Sequence, residues 1–147
     1  MKIRPYECID SLRFGESTKA DCIALYGQPK NVRKNRYNVE EYRYDDFTLR
    51  FDLTNNTLRE CTLLPCKDAV LGSIPVTWDR DFLVAACNED GNPVEANGFI
   101  VMLKLGIAVT GIHDNDDSQL AVTAFSKGVF DDVLVGAKAF DVAAVKS

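Results

Sequence analysis

The chain holds one histidine, and it stands beside three acids in His113-Asp114-Asn115-Asp116-Asp117. An imidazole next to carboxylates is a donor set for a divalent cation, so a small metal-dependent hydrolase centred on His113 is one reading of this segment. The order Asp114, Asp116, Ser118 also imitates the start of a calcium loop. Such a loop needs glycine at its sixth position and a bidentate glutamate at its twelfth, where this chain has Gln119 and Phe125. The imitation fails, and a polar cluster between Ile112 and Leu120 reads better as a solvated hairpin loop.

Other chemistry finds less support. A Ser-His or Cys-His nucleophile would have to use His113, and the chain has no G-x-S-x-G elbow, phosphate loop or G-x-G-x-x-G run. The acid pairs Asp45-Asp46 and Asp131-Asp132 are adjacent in sequence, and neighbouring side chains in a strand or turn point apart. They read as solvated turn acids. Five cysteines form no C-x-x-C pair, which indicates reduced, mostly buried thiols instead of a zinc site or disulfide framework. No cofactor is expected. The basic run Lys30, Arg33, Lys34, Arg36 is expected to be a solvated loop, because 17 Lys and Arg face 22 Asp and Glu for a net charge of −5. That balance argues against a nucleic-acid partner and for a basic protein partner. Trp78 is either an interface anchor or a packing residue at a helix start.

The elements that position these residues follow from length and periodicity. A chain of 147 residues is expected to be one domain with an ordinary apolar core. It has no apolar run of the ~18 residues that a membrane span requires. Residues 1–10 lack a signal-peptide pattern, so cytoplasmic residence without a membrane partner is expected.

Sliding the chain by about sixty residues superposes a weak polarity repeat, residues 9–65 on residues 69–127, with a tail at 128–147. In the first copy Thr18 and Asp21 have capping-box spacing, Cys22, Ile23 and Tyr26 form an apolar stripe, and Gly27 with Pro29 ends the helix. Period two over residues 41–44 and 47–53 predicts a hairpin about Asp45-Asp46, with Tyr42 and Leu49 inside and Glu41 opposite Arg50 outside. Asn55-Asn56 turns the chain into residues 58–64, where Glu60 falls inward unless a bulge corrects the register.

In the second copy Thr77 is expected to cap a helix from residue 78 to about 87, with strands over 99–104, 107–112 and 120–126. Ile100, Met102, Ile107 and Val109 then face the core, leaving Val101, Leu103, Ala108 and Thr110 outside. So apolar an outer face calls for a cover. Either a partner supplies it, the favoured reading because the tail has few apolar residues, or Val129, Phe130, Val133 and Leu134 fold over it. Residues 136–147 read as a fraying tail.

The segments Leu12-Arg13-Phe14-Gly15-Glu16-Ser17-Thr18 and Leu25-Tyr26-Gly27-Gln28-Pro29 carry a resemblance. They are similar to the repeat of the β-lactamase inhibitory protein and of small outer-membrane assembly lipoproteins. Tandem copies without a signal peptide resemble cytoplasmic immunity proteins of contact-dependent or type VI secreted bacterial toxins. The second copy departs from the pattern, with Ile74-Pro75-Val76 in place of Phe-Gly. The repeat register predicts an α+β fold of two helix-plus-three-strand repeats, an antiparallel sheet with helices on one side, and the resemblance implies a cytoplasmic toxin-binding role. The resemblance also implies a non-enzymatic inhibitor bound to a cognate toxin, with an envelope-assembly or β-lactamase-inhibiting module as a further alternative. The residues expected to meet the partner are Asp45, Asp46, Asp114, Asp116 and Asp117, for orientation, and Val101 and Leu103, for apolar contact.

Overall fold

A computed structural model describes residues 1–145. The first half comprises β1 (Lys2–Arg4), β2 (Cys8–Ile9), β3 (Leu12–Arg13), α1 (Lys19–Tyr26), β4 (Asn31–Lys34), β5 (Val39–Arg43), β6 (Phe47–Asp52) and β7 (Thr57–Leu63). The second comprises β8 (Val70–Leu71), β9 (Ile74–Pro75), α2 (Arg80–Asp90), β10 (Val94–Ala96), β11 (Phe99–Met102), β12 (Ile107–Thr110), β13 (Ala121–Phe125) and β14 (Lys138–Ala139). The fold is α+β, with two sheets. Five short strands run in the order β3-β2-β1-β8-β9 and nine in the order β14-β10-β11-β12-β13-β7-β6-β5-β4. Every pairing in the larger sheet is antiparallel, while β1 and β8 pair in parallel in the smaller one.

The central hairpin follows its alternating pattern. Tyr42 pairs with Leu49 and Glu41 with Arg50, and the Tyr44 amide donates to the Phe47 carbonyl across Asp45-Asp46 at 2.9 Å. Beyond the left-handed Asn56, Arg50 faces Glu60 while Phe51 faces Leu58, so the register shifts there and Arg59 has no opposite number. This bulge turns Glu60 to the outer face, where its carboxylate lies 3.5 Å from Arg50, and sets Arg59 3.7 Å from Asp52. One buried cluster joins Leu49, Phe51, Cys61, Leu63, Ile100, Met102, Ile107 and Val109 of the sheet to Cys22 of α1 and Phe82, Leu83 and Ala86 of α2. Both helices therefore cover the same face.

Several expectations are corrected. The first helix is followed by four strands of the large sheet and the second by five, instead of three each, because β4, β10 and β14 also pair. Strand β4 has all four residues exposed, and an edge strand tolerates charges that a central one does not. The small sheet is absent from the sequence reading because strands of two or three residues show no period. The α2 cap is Asp79 and not Thr77: Asp79 accepts from the Phe82 amide at 3.2 Å, the Thr77 hydroxyl donates to Asp79 at 2.6 Å, and the helix extends to Asp90.

The chain itself covers the second half's outer face. Phe130 stacks on Phe125 with centroids 4.3 Å apart, meets Phe99 edge-on, and closes a second cluster containing Val101 and Ala108. The favoured partner cover is thereby replaced. Through residue 145 the tail is docked as well, since β14 pairs with β10 and Val145 is buried with its carbonyl accepting from Arg80 Nε at 3.0 Å. The rest of the expected fraying tail, Lys146 and Ser147, lies outside the described residues.

Candidate functional site

Strand register decides which loops meet. Phe47 pairs with Leu63, Leu63 with Val122 and Val122 with Val109, forming one row across β6, β7, β13 and β12. The loop Asp45-Asp46 enters this row from one strand, and the loop of residues 111–120 leaves it from another. Asp45, Asp46, Asp114, Asp116 and Asp117, separated by some seventy positions in sequence, therefore occupy the same end of the sheet.

The start of α2 completes that end. Trp78, Asp79, Arg80 and Asp81 line a cavity of about 340 Å³ together with Asp117 and Leu120 of the β12–β13 loop. The half-buried Trp78 donates its indole N–H to the Lys67 carbonyl at 3.1 Å, and the Lys67 ammonium lies 3.4 Å from Asp46. A continuous path of contacts thus runs from the β5–β6 hairpin to the cavity. Trp78 holds a left-handed backbone (φ 63°), which lets Asp79 reach its extended capping geometry directly afterwards. The hydrogen bond from Thr77, reinforced by the Phe82 amide, holds the Asp79 carboxyl below the usual carboxylate range despite some desolvation, so it is ionised at neutral pH.

Charge is unevenly compensated across this end. Asp45 pairs with Lys30 and Asp46 with Lys67. Asp116 accepts from the Ser118 amide and hydroxyl in a local turn, and among the described residues neither it, Asp81 nor Asp117 has a basic partner within ion-pair distance. At the cavity itself Asp79, Asp81 and Asp117 outnumber the one lining cation, Arg80, so a surplus of negative charge lies at its rim. An ammonium or guanidinium entering there would meet carboxylates and the face or edge of an indole, a favourable surrounding for a cation.

His113 does not gather these acids. Its Nε2 lies 3.3 Å from Glu95 and 4.0 Å from Asp114, its ring packs edge-on against Phe140, and its buried Nδ1 has no hydrogen-bond partner. Asp116 and Asp117 turn elsewhere, and the described residues contain no group of three or more His, Cys, Asp or Glu side chains disposed around a common ion. The histidine ties the loop to β10 and the docked tail.

The two apolar site residues also part from the acids. Val101 is 0% exposed beneath Phe130, which removes it from the surface expected for it. Leu103 is 45% exposed, but it lies in the β11–β12 turn at the opposite end of the sheet, where its carbonyl accepts from the Tyr6 hydroxyl. The sequence reading missed the cavity and the role of Asp79 and Asp81 at its rim. The available signal was the string Trp78-Asp79-Arg80-Asp81, an aromatic residue amid alternating charge at a helix start. Comparison with protein-family models, curated proteins and solved structures gives no match for this chain.

Proposed function

We propose that the chain is a non-enzymatic protein inhibitor of the immunity type, which acts in the cytoplasm by docking its acidic end on a basic toxin domain. A nuclease is a fitting target, because a surface built to hold phosphate is basic. The observation that carries the reading is that the β12–β13 loop and the α2 start meet around a tryptophan-lined cavity, with the distant acidic loop Asp45-Asp46 at the same end of the sheet. Surface carboxylates of this kind steer encounter and reject wrong partners, while a buried aromatic anchor supplies affinity. The resemblance of residues 12–29 to the inhibitory-protein repeat supports the same class. So does the recurrence, on each side of the β7–β13 pairing, of a helix followed by a run of antiparallel strands, which we take as two copies of one ancestral repeat.

The test is co-expression with the product of the gene directly upstream, scored by rescue of growth and by co-purification. The proposal expects both, and expects Trp78→Ala to weaken the complex by at least tenfold. Toxicity unchanged by the chain, together with no co-purification, would sink it.

A further inference from the structure

A second surface of opposite charge lies at the far edge of the large sheet. Strand β4 ends the strand order and pairs only with β5. The Asn35 amide donates to the Val39 carbonyl at 2.9 Å, which fixes the alternation of the pair. Asn31 and Arg33 turn their backbone groups toward β5, whereas Val32 and Lys34 present theirs outward. The β5–β6 ladder agrees, because Tyr44 and Asn38 of the even set bond toward β6. The edge therefore offers two N–H and two C=O groups with no strand to receive them.

The side chains on this edge are basic and available. Arg33 sits opposite Glu41 and Lys34 opposite Glu40, yet those carboxylates are already engaged: Glu41 by Arg50 at 2.7 Å and Arg43 at 3.0 Å, Glu40 by Lys19 at 2.9 Å. Among the described residues Arg33, Lys34 and Arg36 have no ion pair. Val32 is 52% and Tyr37 70% exposed beside them. In a chain of net charge −5, four of 17 Lys and Arg fall within residues 30–36.

We propose that β4 receives an extended acidic segment of a partner protein as a tenth strand, with backbone hydrogen bonds to Val32 and Lys34 and carboxylates on both of its faces meeting Arg33 and Lys34. A second copy of the chain fits poorly, since β4 against β4 sets these cations on their own images. Lys30 at the start of the run pairs with Asp45 of the acidic end, but among the described residues Arg33 and Lys34 have no ion pair with it, so a test on those two residues stands apart from the inhibitor reading.

The probe is a labelled eight-residue Glu-Val peptide, Glu-Glu-Val-Val repeated so that both strand faces carry carboxylates, titrated against the full chain, with the matching Lys-Val peptide as control. The Glu-Val peptide is expected to bind at least tenfold more tightly than the control, and increasingly weakly as salt rises. The Val32 and Lys34 amides, fast to exchange in the free chain, become protected on binding, while Arg33 is protected in both states. The double variant Arg33→Gln, Lys34→Gln keeps its melting temperature and loses the peptide preference. Binding that leaves the Val32 and Lys34 amides unprotected overturns the proposal, as does no preference between peptides. Tighter binding of a single-stranded oligonucleotide, or protection that rises with chain concentration alone, also overturns it.

Discussion

Arg50 is the residue on which the outer face of the first half depends. It reaches Glu41 at 2.7 Å, Glu60 at 3.5 Å and the Thr62 hydroxyl at 2.6 Å, and Thr62 continues to Thr123 on β13. Replacing it by methionine leaves two partly buried carboxylates without their shared cation, a loss expected to cost about 2–3 kcal/mol in urea unfolding. The carboxylates respond to pH in opposite senses. Burial pushes Glu41 up, but Arg50 and Arg43 outweigh it and hold the group below its ordinary range. Its contribution is present above the unfolded value of about 4.3 and is lost as pH falls through the folded value. Burial dominates at Glu60 and raises it, so protonation there relieves a cost as pH falls toward the unfolded value. Urea midpoints followed from pH 7 to pH 3 should thus show Glu60→Gln removing a gain on the weakly acid side. Glu41→Gln should remove the loss at the acid end, and identical profiles for wild type and both variants would contradict this assignment.

At the scale of elements, the C-terminal strap over β11, β12 and β13 can be weighed directly. Phe130→Ala removes the ring stacked on Phe125 and opens Val101 to water, which should cost about 3 kcal/mol. Val101→Asp should cost at least as much, because a charge would enter a packed contact, while Leu103→Asp at the exposed turn should move the melting temperature by only about a degree. Equal losses from the two aspartates would mean that the faces of β11 are misassigned. The caps give a smaller measure: Thr18→Ala and Asp79→Ala should each cost about 1 kcal/mol in the same assay.

These elements also mark how far the sequence was legible. The β5–β6 hairpin could be read because strict alternation and a two-residue turn leave one register, and the inward Glu60 itself announced the bulge at Arg59. The strap could not be weighed by counting apolar residues, since the Phe130 ring, stacked on Phe125 and edge-on to Phe99, does most of the covering and Val129, Val133 and Leu134 pack around it. Strand β4 was hidden by its charges, and β1, β2, β8 and β9 by their brevity. At the candidate site the acids were legible as loop residues. Their convergence was not, because it depends on β7 pairing with β13, a contact between halves that no local pattern encodes. Leu103 is separated from Asp114, Asp116 and Asp117 by the length of β12, because the β11–β12 turn and the β12–β13 loop lie at opposite ends of that strand.

At the scale of the whole molecule, charge is divided between an acidic end around Trp78 and a basic edge at β4, so the net charge of −5 understates the field at either. A field of this kind acts on association more than on dissociation. The most direct test of the central claim is therefore stopped-flow association of the purified chain with the basic toxin domain proposed as its partner, for wild type and for the triple variant Asp114→Asn, Asp116→Asn, Asp117→Asn. Asparagine keeps the turn-forming side-chain acceptor of Asp116 while removing charge. The account predicts that the triple variant melts within about two degrees of wild type, associates at least tenfold more slowly at low salt, and converges with it as salt rises. Equal association rates at low salt, or a complex that forms with the acidic end left exposed to exchange, would contradict it.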